Sequence, residues 1–133
     1  MAVGMSEYLA DSFLNAAFNA TSFSVTTVYV KLHTGDPGAA GSANAATETT
    51  RKSVSFGAPG APAAGVVTIS NDAQVQWTSI SGSQDATHYS LWDDLTAGNF
   101  LGSGTITASA YTAGDTLTFA IGDIDLSLNV ATT

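Results

Sequence analysis

The hydrophobic period of this chain changes once, near Thr21, and that change limits what it can fold into. Before it, apolar residues recur at helical spacing: Tyr8, Leu9, Phe13, Leu14, Ala16, Ala17 and Phe18, with Leu9–Phe13 and Leu14–Phe18 as i, i+4 pairs. Ser6 stands where an N-cap would, Glu7 where the helix dipole favours an acid, and Asn19 where a helix would stop. The spacing predicts a helix over 5–19. So short a helix is marginal alone in water, so it must dock on a larger body or on a partner.

After Thr21 the period is two. Val28, Val30 and Leu32 fall on one face, and Tyr29, Lys31 and His33 on the other. Further strand signals cover Lys52–Phe56, Gly65–Ser70, Gln74–Thr78, Thr87–Asp93, Phe100–Thr107, Thr116–Ile121 and Ile124–Val130. Turn clusters rich in Gly, Pro, Asn and Asp separate them. One connection is long: residues 34–49, holding the turn Gly35-Asp36-Pro37-Gly38. About eight short strands in one small chain read as a mainly all-β, antiparallel sandwich, jelly-roll-like, with one N-terminal helix. No repeat or composition break divides the chain, so residues 1–133 are expected to form a single domain.

Charge narrows the function classes. The net charge is -8, with 11 acids against Lys31, Arg51 and Lys52. Nucleic-acid binding rests on neutralising phosphates, so no nucleic-acid partner is expected. No apolar run is long enough for a membrane span, and no membrane partner is expected. The first seven residues lack a basic start and a long apolar run, so synthesis in the cytoplasm without a secretory signal is expected. Cysteine is absent, which removes disulfides, thiolate metal sites and cysteine nucleophiles. The cations all lie in the first 52 residues, whereas Asp72, Asp85, Asp93, Asp94, Asp115, Asp123 and Asp125 follow with none. That asymmetry points to an N-terminal half that holds partners and a C-terminal half that faces solvent.

Candidate chemistry is sparse. His33 and His88 fall on the outward faces of expected strands, as surface or inter-subunit histidines would. No serine sits in a Gly-x-Ser-x-Gly elbow. Asp93, Asp94 and Asn99 bracket a turn, too few oxygens for calcium, and read as a hairpin with an acidic lip. Trp92, Tyr111 and Tyr29 are aromatics that could stack on sugar rings, although core anchoring is the commoner use. No catalytic residue, cofactor or metal is expected.

Several motifs in series carry a resemblance. They are Leu-His-Thr-Gly-Asp-Pro-Gly at residues 32–38, Arg-Lys-Ser-Val-Ser-Phe at 51–56, and a strand ending in Trp92-Asp93. Gly-Asn-x-Leu-x-x-Gly follows at 98–104, and then Gly-Asp-Thr-x-x-Phe-x-x-Gly-Asp from Gly114. In that order, over nearly the whole chain, they resemble a family of small tailed-phage virion proteins labelled tail fibre, minor tail or head decoration proteins. The family often carries an acid close behind the Asp-Pro turn, whereas here it comes later, at Glu48.

The resemblance implies a virion structural role without catalysis. The first reading is a capsid decoration, or cement, protein on the outside of the shell. Its partners would be the major capsid protein and copies of itself, as a homo-oligomer of trimer type. The alternative is a tail fibre or minor tail protein, bound to other tail proteins or to a host-surface glycan. The expected partner-binding residues are Leu9, Phe13 and Phe18 on the helix, and His33, Asp36 and Pro37 at the start of the long loop. Arg51 and Lys52 complete the set, as cations meeting an acidic surface. The loop itself is expected to reach across a neighbour.

Overall fold

The computed structural model describes residues 3–132. Its one helix, α1, spans Glu7–Phe18. Ser6 caps it by accepting the Leu9 N–H on its hydroxyl at 3.1 Å. Eight strands follow: β1 (Val28–His33), β2 (Lys52–Val54), β3 (Val66–Ser70), β4 (Val75–Trp77), β5 (Gln84–Trp92), β6 (Phe100–Tyr111), β7 (Leu117–Phe119) and β8 (Asp125–Asn129). A four-stranded sheet has the order β2-β1-β5-β6, and two ribbons pair β3 with β8 and β4 with β7. Every pairing is antiparallel.

The pairs β5·β6, β4·β7 and β3·β8 are nested, so residues 66–129 form one long hairpin whose tip is the turn at 93–99. Rolling such a hairpin back on itself gives two layers, the logic of a jelly roll. In the main sheet Val30 stands opposite Leu91 and Leu32 opposite Tyr89. Opposed residues share a face, and all four are buried, so this is the core side. From the ribbons come Val75, Trp77, Leu117, Phe119 and Ile124, also buried. Trp77 and Phe119 meet edge to face at 5.2 Å, and the Trp77 indole donates to the Thr50 carbonyl at 2.8 Å.

Two polar side chains lock the layers. Asn71 is almost fully buried. Its amide donates to the carbonyls of Ala73 and Ala120, and its oxygen accepts from the N–H groups of Gly122 and Ile124. It thereby fixes the β7–β8 turn onto the end of β3. Tyr89 spans the core from β5. Its hydroxyl donates to the Asp125 carbonyl at 2.5 Å and accepts the Asp125 N–H at 2.8 Å. Burial pushes its phenol up to about 12, so the donor proton stays in place. The facing β6 residue is Gly104, where any Cβ would collide with the Tyr89 ring.

The expected strands all form, with edges that differ. β5 starts at Gln84 rather than Thr87, and β6 runs to Tyr111 rather than Thr107. This extension pairs Gln84 with Tyr111 and Asp85 with Ala110 on a partly exposed stretch. Its polar and small residues give no apolar alternation, and a register shift between Ala86 and His88 breaks the period. β2 and β4 are shortened to three residues each. Replacing Tyr89 by Phe keeps the ring and removes the partner of the Asp125 N–H and carbonyl. Urea unfolding should show a loss of about 1–3 kcal/mol, against none if these bonds are dispensable.

Candidate functional site

The outer face of the main sheet carries most of the polar chemistry, and the 34–49 loop covers part of it. His33 ends β1 and is fully buried, not outward on a surface. Strand alternation does place it on the outer face, as expected. That face is closed because the loop folds back over it, bridging His33 to Ala45 and sending the Ala46 N–H to the Leu32 carbonyl. His33 Nδ1 lies 2.7 Å from the Ala43 carbonyl and Nε2 lies 2.7 Å from the Ser90 hydroxyl. The Trp92 indole donates to the same hydroxyl at 2.8 Å. One proton arrangement satisfies all three: Nδ1–H donates to Ala43, and Ser90 accepts from Trp92 and donates to Nε2. Burial lowers the His33 pKa most, with Lys31 and His88 adding repulsion, against the raising effect of the Ala43 carbonyl.

This Ser–His contact has the distance of a nucleophile–base pair, yet both side chains are fully buried and no substrate could reach them. Its work is to hold the loop. The same contacts hold the loop, which the sequence has reaching across a neighbour, over its own sheet. Asp36 accepts the Gly38 N–H, Pro37 is fully buried, and Gly41 lies against the Phe100 ring with φ +71°. Glu48 closes the far end by accepting from the N–H groups of Thr50 and Ser81. Burial works to raise its pKa, but those donors outweigh it and hold the carboxyl below the usual range. Sequence reading missed Glu48 as an anchor. Its only signal was an acid in a loop otherwise poor in charge.

Arg51 is likewise spent inside the molecule. Its guanidinium donates to the carbonyls of Asp94 and Ala97 and lies 4.1 Å over the Trp92 ring. It thus buttresses the 93–99 turn. Within that turn Asp93 accepts from the Asn99 backbone and amide, and Asp94 from the N–H groups of Thr96 and Ala97. These backbone donors hold the Asp94 carboxyl below its ordinary value. The acidic lip is a set of turn caps. Among the described residues no three His, Cys, Asp or Glu converge as metal ligands. The sugar-stacking candidates fare unevenly: Tyr111 is buried, Trp92 has Arg51 over its ring, and Tyr29 is half-buried. Lys52 is half-buried at the start of β2.

α1 divides its apolar residues between two faces. Leu9 is buried against the body, and Phe13 packs edge to face on Phe23 at 6.0 Å. Leu9, Phe13, Phe23, Leu91, Leu101 and Leu126 are among the residues lining an apolar groove of ≈ 300 Å³ between the helix and both layers. On the opposite face Leu14 is 62% exposed and Phe18 85% exposed, alongside exposed Glu7 and Asp11. Of the expected partner residues, then, Phe18 is free, Phe13 partly so, and Leu9, His33 and Pro37 are inside. The structure does not bring these residues together as one patch.

The His33 pKa lies below 6.5, so the unfolded chain binds a proton that the folded one refuses. Stability is unaffected above that value. As pH falls below it, stability should drop by up to about 1.4 kcal/mol per pH unit. Chemical unfolding at pH 7.5 and 5.5 checks this. The His33→Gln variant should lose that pH dependence, and a wild-type curve flat across the interval would contradict it.

The family model described as podophage GP4 fiber I protein gp80 matches residues 4–127, from ahead of α1 into β8. No curated protein matches. With α1, β1 to β7 and the start of β8 inside the matched span, the chain belongs to that family of phage fibre proteins, and it is a bacteriophage virion structural protein.

Proposed function

We propose that the protein is a non-enzymatic structural module of the phage tail fibre, bound to other tail proteins within the virion. The observation that carries this reading is the fibre-family match across residues 4–127. The geometry supports it in two ways. The polar groups that could have formed a catalytic constellation are used as loop anchors and turn caps. The residues left free on α1, Leu14 and Phe18, are of the kind that protein interfaces bury.

Capsid decoration, the first reading from sequence, came from the resemblance and the small size, and it gave the long loop a lattice neighbour to reach. That loop is held on its own sheet through His33 and Glu48, which leaves the tail as the better-supported address. A host-glycan role has less to stand on, since Tyr111 is buried and Arg51 lies over Trp92. Gold-labelled antibody on purified virions, with copy counting by quantitative mass spectrometry, tests the proposal. Label confined to the tail, at few copies per particle, is the expected result. Label spread over the head at high copy number would overturn it in favour of decoration.

A further inference from the structure

Two exposed surfaces of this chain are opposite in charge and alike in carrying large apolar side chains. One is the outer face of α1, where Leu14 and Phe18 protrude beside Glu7 and Asp11. The other is a pocket of ≈ 390 Å³ whose lining includes Lys31, Arg51, Thr50 and Leu95. Two of the three cations in the whole chain meet there. Leu95 is 50% exposed at its rim. Arg51 is already balanced in part by Asp93 and Asp94, whereas Lys31 feels burial and the Arg51 charge, both unfavourable to its own. An acid arriving from outside would relieve it.

The two surfaces cannot meet within one copy. α1 is tied to β6, because the Ser6 N–H donates to the Leu101 carbonyl. The pocket is built from β1, the residues leading into β2 and the β5–β6 turn, and its Lys31 alternates to the sheet face opposite Leu91, which lines the groove under α1. We infer that the outer face of α1 in one copy docks in the Lys31–Arg51–Leu95 pocket of a second copy, with Phe18 and Leu14 in the pocket and Glu7 and Asp11 facing Lys31. The contact is head to tail, so it repeats until it closes into a ring or continues as a filament. It also gives the unpartnered face of a short helix the burial that such helices need. The inference adds a partner to the fibre-module reading and depends on it only for where the assembly sits.

Sedimentation velocity on the full chain provides the test. The wild type should associate, either saturating at one stoichiometry (a ring) or growing with concentration (a filament). Leu14→Ser and Phe18→Ser each remove an exposed apolar group, so the fold should survive, as circular dichroism will verify. Each should weaken association by about 10-fold or more. Asp11→Lys and Lys31→Glu should each weaken it, and the two together should restore it. A wild type that stays monomeric at about 100 µM overturns the inference. So does an oligomer indifferent to all four substitutions. A monomer that is nonetheless found on the tail refutes this contact and leaves the fibre reading intact. A ring built through this contact but located on the head does the reverse.

Discussion

The Tyr89–Leu91 stretch of β5 is buried on both faces, and the rest of the molecule is arranged to make that possible. Tyr89 and Leu91 point into the core while Ser90 between them is equally hidden on the other side. A strand with one apolar and one polar face ordinarily shows the polar face to water. Here that face lies under a folded loop, and every polar group beneath it needs a partner. The His33, Ser90 and Trp92 chain provides one, and Glu48 ties down the far end of the cover. On the core side Tyr89 reaches through to the β8 backbone. The two layers and the loop are therefore joined through one strand.

The division of labour among charged residues follows from how few there are. With three cations in the chain, each one matters. Arg51 lies over Trp92 and holds two carbonyls of the 93–99 turn, which makes it part of the scaffold. Most of the acids with hydrogen-bond partners cap turns: Asp36, Asp93, Asp94, Asp115 and Asp123 each accept backbone N–H groups nearby. An acidic composition can thus arise from hairpin chemistry, since Asp is the side chain that best satisfies orphan donors in tight turns.

Much of the fold was legible in the sequence. The single change of period located α1 and β1, and turn clusters separated the later strands. Cap and stop residues at Ser6 and Asn19 set the helix ends. What stayed hidden depended on contacts distant in sequence. His33 alternates as an outward residue, and nothing local says that Ala43 and Ser90 will close over it. The Gln84–Ala86 start of β5 has no apolar pattern, because its pairing with β6 alone keeps it extended. The interaction surfaces were less readable: of the residues expected to meet partners, Phe18 stands exposed while Leu9, His33 and Pro37 are buried. Pro37 was marked by its place in the turn that opens the long loop and Arg51 as one of three cations, and neither signal distinguishes a side chain that reaches out from one that braces its own chain.

The nested order of the strands bears on how the chain comes together. β5 and β6 are joined by seven residues, so their hairpin closes the shortest loop. Once it exists, the ends of β4 and β7 are already near each other, and then those of β3 and β8. Each step costs only the closure of the short segments just added, rather than of everything in between. A topology with distant partners can thus assemble by successive local steps. β1, β2 and α1, although made first, gain their main partners only after this later portion exists. The start of the chain therefore waits for its middle, because β1 pairs with β5 and α1 is tied to β6, the two strands of the first hairpin.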